Sequence, residues 1–300
     1  MTSALAPSSV TTRDPKGLKF LSVVDGAYNK AGMTEEEAQR VNEAGGLADL
    51  IGKFISDNRC TNQFANEEAA SSYTYPPEYT GPKPIEEQIT ALAKMLDLDP
   101  TSALTFAESL PALPEGAEGW FAIPSPVALA AKHFPGLTDP AEQNCAGVSL
   151  ILSKIAASRK FYNYREGQIT TAQLRVAIRT AEAMAQITEV QKGDILIIAA
   201  QLGLRHRGES VRRAREKFVA NEFGLGSLIV GAITLTHPER FVRWEQLHTD
   251  CAGDEFSPEA DGGFDGAPYF YFDGGKVKFY TDWVSDASAG YGSASGFLPQ

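Results

Sequence analysis

The sequence has few cysteines and no long hydrophobic run. Three cysteines stand among its 300 residues, at positions 60, 145 and 251. That number and spacing exclude a disulfide framework and a C-x-x-C metal knuckle, so free thiols in a reducing cytoplasm are expected. No segment approaches eighteen consecutive apolar residues, and the first ten residues, MTSALAPSSV, lack the charged start of a signal peptide. We therefore expect a soluble, cytoplasmic protein with no membrane partner.

Common catalytic and metal-binding motifs are also absent. There is no G-x-S-x-G, H-E-x-x-H or kinase signature, so no nucleophile stands out. His237, His248 and Cys251 lack a fourth zinc ligand. Residues 250–265 are acidic but lack the order of a calcium loop, and a solvated loop or a partner for arginines is favoured there over a divalent ion. We predict no metal site and no cofactor.

Local composition and the positions of proline and capping residues divide the chain into four parts. Hydrophobic residues make up 43 % of the chain, enough to bury a full core. Residues 1–17 are predicted to be a flexible tail and residues 18–65 a helical segment, in which Thr34 and Glu37 form a capping box. The Pro/Tyr-rich residues 66–84 are predicted to be a linker, and residues 85–300 an α+β domain.

Within the last part, apolar periodicity predicts both helices and strands. A helix is expected to follow Pro84, and two more to span residues 140–163 and 171–188. Strands are expected over residues 241–251 and 268–280, the latter folded into a hairpin at Asp273-Gly274-Gly275.

The densest pattern runs from residue 193 to residue 239. Residues 194–200 form an apolar run typical of a central strand, and Ser210 is placed to cap a helix that follows it. Residues 227–236, SLIVGAITLT, predict a second, parallel strand, although periodicity leaves a buried helix open as the alternative. The predicted fold is α+β: a mixed sheet with a central βαβ unit and a C-terminal hairpin, flanked by helices.

Parallel strands would bring two polar loops to one sheet edge, because open α/β sheets bind ligands beyond the carboxyl ends of their strands. These loops carry His206 and His237, the candidate proton-transfer residues of an enzyme in which Arg205 and Arg240 hold a small anionic substrate. The first loop has the glycine spacing of a phosphate loop, but Glu209 stands where lysine is needed. Nucleotide hydrolysis by this motif is therefore excluded.

Positive charge is concentrated in residues 205–217, which we call the basic segment. It holds six Lys/Arg and two Glu in a chain whose net charge is −11. We predict that it binds nucleic acid or another phosphate-bearing partner. The alternatives are the enzyme described above and a protein-interaction module without a small ligand. The predicted anion-binding residues are Arg205, Arg207, Arg212, Arg213, Arg215, Lys217 and Arg240.

Several sequence segments in the last third of the chain resemble those of an uncharacterised protein family from small-genome candidate-phylum bacteria. They are GLRHRGESVRRARE, ANEFGLG, LTHPERFVRW, DCAGDEFSPEADG and YGSASGFLP. The resemblance implies a bacterial, cytosolic setting and carries over no functional residue.

Overall fold

The computed structural model describes residues 15–57 and 60–299, and these two ranges belong to two separate compact units. Most of the predicted tail, residues 1–14, lies outside the described residues, and residues 15–17 begin the first helix. Residues 66–84, predicted as a linker, lie within the second unit. They are tied to it by hydrogen bonds such as Ala69 N–H to Gly208 O at 2.7 Å.

The first unit consists of three helices, α1 (Pro15–Lys30), α2 (Glu35–Glu43) and α3 (Leu47–Asp57). The predicted capping box is confirmed: the Thr34 hydroxyl accepts from Glu37 N–H, and Thr34 N–H donates to the Glu37 carboxylate at 2.9 Å. Many large apolar side chains of this unit are exposed. They include Leu18, Leu21, Val23, Leu47 and Leu50.

The second unit combines seven α-helices with eleven strands among the described residues. Its helices are α4 (Ile85–Leu96), α5 (Thr101–Ala107), α6 (Pro126–His133), α7 (Pro140–Ser158), α8 (Ile178–Val190), α9 (Val211–Lys217) and α10 (Ser227–Thr236). Its strands are β1 (Gly119–Pro124), β2 (Phe161–Asn163), β3 (Leu174–Val176), β4 (Ile195–Gln201), β5 (Glu222–Gly224), β6 (His248–Asp250), β7 (Asp254–Phe256), β8 (Gly266–Asp273), β9 (Lys276–Trp283), β10 (Tyr291–Ser293) and β11 (Ser295–Phe297). Within the described ranges, no helix is both long and apolar enough to cross a bilayer.

The first sheet has four antiparallel strands in the order β1-β4-β11-β5. All seven residues of β4 are buried, as expected for a continuous apolar run. The prediction of a central strand over residues 194–200 is therefore confirmed, but both of its neighbours run antiparallel to it.

The second sheet is mixed and has seven strands. Its main path is β10-β6-β8-β7-β3, and β9 joins β8 to β2. The β10–β6 and β2–β9 pairs are parallel, and the others are antiparallel. The predicted hairpin is confirmed: β8 and β9 are connected at Gly274 and Gly275, whose φ values are 58° and 75°.

The predicted βαβ unit is wrong, because residues 227–236 form helix α10 instead of a second strand. All ten residues of α10 are buried, and the helix contacts β1 of one sheet and β8 of the other. A run that is apolar on every side suits a helix surrounded by protein as well as it suits a central strand. Tertiary packing therefore decides the outcome, and the expected edge where two parallel strands end together does not exist.

Two predicted helices are shorter than expected, because strands take one end of each. Helix α7 ends at Ser158 and is followed by β2, whereas α8 begins only at Ile178, after β3. The α+β class with a mixed sheet, a C-terminal hairpin and flanking helices is confirmed.

Close packing of α10 on α7 depends on Gly231. A Cβ atom added there would lie 2.6 Å from Ile151 Cγ2 and 3.4 Å from Phe270 Cζ. In an open helix, Gly→Ala stabilises by up to about 1 kcal/mol. Here we expect Gly231→Ala to lower the free energy of unfolding by about 1–3 kcal/mol, because the core is already full. Urea denaturation measures the change, and a gain in stability would contradict this packing.

Candidate functional site

The arginines of α9 are paired with carboxylates of the same chain. Arg212 Nε donates to Glu67 at 2.8 Å, and the Arg213 guanidinium contacts Glu68 at 2.7 Å and Glu216 at 2.8 Å. We call these five residues the α9 clasp. Ser210, the confirmed N-cap of α9, also donates its hydroxyl to Glu67 at 2.7 Å. The clasp holds residues 67 and 68 against the basic segment and uses the positive charges of both arginines.

The remaining predicted anion-binding side chains also have partners within the chain. Arg205 pairs with Glu222 at 3.2 Å, Lys217 pairs with Glu209, and Arg207 donates to the Tyr73 carbonyl at 3.1 Å. Arg215 donates to the carbonyls of Ala252 and Asp254 at 2.9 and 2.6 Å. Contact with a phosphate would have to compete with these bonds, and nucleic-acid binding by this segment stays a prediction.

Arg240 is fully buried rather than placed at a binding surface. It donates to the carbonyls of Leu247 and Leu202 at 2.9 and 3.2 Å and to the Thr249 hydroxyl at 2.9 Å. Its guanidinium also stacks over Tyr75, 4.2 Å from the ring centroid. These contacts anchor the chain after α10 to the end of β4.

His206 lies between two carboxylates. Its Nδ1 is 2.9 Å from Glu209 and its Nε2 is 2.8 Å from Glu222. Burial lowers the pKa of His206, but the two hydrogen bonds and the charges of both carboxylates together outweigh burial, and the net pKa is raised. Both ring nitrogens are therefore occupied, which leaves neither available to move a proton on a substrate.

His237 has hydrogen-bond partners different from those of His206. Its Nε2 accepts from Lys83 N–H at 3.0 Å, while Nδ1 is 2.9 Å from the Thr236 hydroxyl. Burial lowers its pKa to about 4. Neither His237 nor His206 lines the cavities described below.

A cavity of about 320 Å³ opens among α7, α8, β3 and the start of α10, and we call it the Asp254 cavity. Its lining is mainly apolar, and its polar groups are Asn144, Arg175, Thr180 and Asp254. The apolar side chains that line it are Pro126, Pro140, Ala141, Leu174, Val176, Ala181, Met184, Leu228 and Ile229. This size and composition are typical of a small-molecule site.

Asp254 joins this cavity to the N-terminus of α10. It is 1 % exposed, and its Oδ2 accepts a hydrogen bond from Ser227 N–H, at the first residue of the helix, at 2.6 Å. Burial raises the pKa of Asp254 to about 6, although the contacts to Ser227 and the charge of Arg215 act in the opposite direction. The carboxylate is still mostly charged at neutral pH.

Arg175 lines the same cavity, but its charge is used elsewhere. Its Nε pairs with Glu255 at 2.7 Å, and its guanidinium stacks on Phe264, 3.9 Å from the ring centroid. Thr180 likewise donates its hydroxyl to Gly224 O at 2.9 Å. Asp254 is therefore the main source of unbalanced charge in the cavity lining.

A second group of buried polar side chains lies around β6 and β10. His248 is 5 % exposed, and its ring nitrogens make no hydrogen bond of normal geometry within the described residues. The same holds for Ser293 Oγ and the Gln246 amide. The rings of Trp244, Tyr271 and Tyr291 surround His248 at centroid distances of 5.4, 5.4 and 4.8 Å. Burial lowers the pKa of His248 to about 4.

Reasoning from the sequence missed Asp254 as a site residue. It stands in the acidic stretch 250–265, where six carboxylates look alike, and only the fold distinguishes the one that meets a helix N-terminus. The lining residues Leu174 and Val176 were missed because β3 was predicted as part of a helix. Among the residues that the structure describes, no three His, Cys, Asp or Glu side chains group as metal ligands.

Comparisons with known proteins find no matching family model, no similar curated protein and no similar solved structure.

The α9 clasp predicts a structural effect for an arginine that sequence reasoning assigned to ligand binding. Arg213→Ala should lower the free energy of unfolding by about 1–3 kcal/mol, because it removes the cation that pairs with both Glu68 and Glu216. Urea denaturation measures this loss. The matched control is Arg207→Ala, which removes one hydrogen bond from an exposed side chain and should cost less than about 1 kcal/mol. Equal effects of the two variants would contradict a structural role for the clasp.

Asp250 predicts a stability change with a defined dependence on pH. Burial, and secondarily the charge of Asp282, raises the pKa of Asp250 to about 8. Between about pH 4 and pH 8 the folded state therefore retains a proton that the unfolded state releases, so stability is lost as pH rises. Asp250→Asn removes this cost and should raise the free energy of unfolding at pH 7 by about 2–4 kcal/mol, with little change near pH 4.

Denaturant titrations at these two pH values measure the difference. Asp282→Asn, at an exposed position, is the control and should give a smaller gain of the same sign, since it removes only the secondary cause. A gain for Asp250→Asn that is independent of pH would refute the assignment.

Proposed function

We propose that this protein binds a small, largely apolar molecule carrying a protonated amine, in the Asp254 cavity. The observation that carries the proposal is the buried carboxylate of Asp254, which belongs to the lining of a mainly apolar cavity. An apolar cavity of about 150 Å³ holds benzene. A volume of about 320 Å³ therefore has room for a body of two rings.

The negative charge of Asp254 favours a ligand that carries an amine. Arg175 is paired with Glu255, and Arg215 donates to the Asp254 carbonyl rather than to its carboxylate. Among the residues that the structure describes, no cation therefore makes a direct ion pair with Asp254. A ligand ammonium group would supply a charge-assisted hydrogen bond to it. An anionic ligand would be repelled, which separates this proposal from phosphate or nucleic-acid binding.

Other functions have less geometric support. Nucleic-acid binding would use cations that are already paired within the chain. An enzyme built on His206 and His237 would need them beside one cavity, whereas they have separate partners. Binding of a ligand in the Asp254 cavity, by contrast, requires no rearrangement of the described residues that line it.

Isothermal titration calorimetry with 2-naphthylmethylamine tests the proposal, and 2-naphthylmethanol serves as the neutral probe of the same shape. At about pH 7.5 we expect the amine to bind roughly tenfold or more tightly than the alcohol, as expected for one charged hydrogen bond. Because protonation of Asp254 removes its charge below about pH 6, this preference should be lost at about pH 5.

Two variants on α8 locate the binding. Ala181 is exposed and lines the cavity, so Ala181→Trp should fill the entrance and abolish binding of both probes. Ala185 is exposed one turn later and does not line the cavity, so Ala185→Trp is the matched control and should bind normally. Asp254→Asn should remove the preference for the amine but not binding of the alcohol. Amine binding that survives Ala181→Trp, or no binding of either probe, would reject the proposal.

A further inference from the structure

Strand β2 lies at an edge of the seven-stranded sheet, and among the described strands it pairs with β9 alone. Val277 N–H donates to Lys160 O, and Tyr164 N–H donates to Phe279 O, each at 3.0 Å. In a parallel ladder, alternate residues of a strand direct their N–H and C=O groups to opposite sides. Tyr162 therefore faces β9, and the backbone groups of Phe161 and Asn163 point away from it.

Those outward groups have no hydrogen-bond partner in the described part of the chain. Two N–H donors and two C=O acceptors are thus presented in the pattern that an additional strand would complete. Edge strands are commonly protected by proline or charged residues, but Phe161, Tyr162 and Asn163 are neither.

An open groove of about 740 Å³ runs along the same three residues, and we call it the β2 groove. Its opposite wall is one face of α7, which presents the small, exposed side chains of Ser149, Ser153 and Ala156. Small residues at these positions leave space for another backbone between α7 and β2. Leu152, Phe161 and Ile169 add apolar contact area, whereas Glu166 is the only ionisable carboxylate in the lining.

We propose that the β2 groove binds an extended peptide segment of a partner protein, which pairs through its main chain with Phe161 and Asn163. Pairing over the three residues of β2 spans about 10 Å, so a short segment is sufficient. Apolar side chains at alternate positions of the peptide contact Leu152 and Ile169, and a Lys or Arg near the end of the segment pairs with Glu166. This proposal is independent of the amine-binding function.

A displayed library of random heptapeptides, selected on the full chain, provides the probes, and binding of the selected peptides is measured by fluorescence anisotropy. Asn163→Pro removes an outward N–H that the β2–β9 ladder does not use, so the sheet is retained while one hydrogen bond to the bound peptide is lost. We expect the peptides to bind this variant about tenfold or more weakly, as expected for loss of a main-chain hydrogen bond together with local repacking.

Two controls separate the backbone effect from other causes. Asn163→Ala also loses the side-chain acceptor of Arg165 N–H but retains its own N–H, and it should bind the peptides normally. Ser153→Trp fills the groove and should abolish binding, whereas Ala157→Trp, exposed on α7 outside the groove, should not. Equal binding to Asn163→Pro and Asn163→Ala overturns main-chain pairing. A selection that yields no peptide sensitive to Ser153→Trp overturns the site.

Discussion

The hydrogen bond between Asp254 and the N-terminus of α10 is the contact around which the second unit is arranged. It holds the start of a helix that lies between two sheets, and it requires very close backbone packing. A Cβ atom on Gly226 would lie 2.4 Å from Asp254 Oδ1, and one on Gly253 would lie 2.4 Å from Gly224 O. Glycine at these positions lets β5, β7 and α10 meet, and the carboxylate then offsets the positive end of the helix.

The fold could be predicted wherever the local signal and the tertiary packing agree. Strand β4 is apolar and buried on both faces, Ser210 caps α9, and glycines follow Asp273 where the hairpin turns. For α10 the local signal and the tertiary packing disagree. Its β-branched residues favour a strand, whereas the segment packs between β1 and β8 as a helix. Gly231 packs against Ile151 and Ser227 bonds to Asp254. Because both partners are distant in sequence, the local pattern of residues 227–236 does not reveal these contacts.

The candidate site was less predictable than the fold, because the sequence does not reveal with which residue a charged side chain pairs. The basic segment was correctly identified as a loop and a helix, but Glu67 and Glu68 come from a stretch more than 140 residues earlier. Arg240 is predicted at a binding surface, yet it is fully buried and donates to backbone carbonyls. An arginine that pairs with a carboxylate of its own chain and one that binds phosphate have the same local sequence pattern, and only tertiary structure separates them.

The two deeply buried aspartates show why Asp254, rather than Asp250, marks a site. Asp250 bears the cost of burial, and no cation in the described part of the chain forms an ion pair with it. It lines neither the Asp254 cavity nor the β2 groove. Asp254 has one oxygen held by Ser227, so its position is fixed before any ligand enters, and fewer degrees of freedom are lost on binding. Helix α7 adds to this rigidity, since Gly147 packs against Leu228 of α10. Both the cavity and the groove border α7, and each is therefore built on an element that the core already fixes.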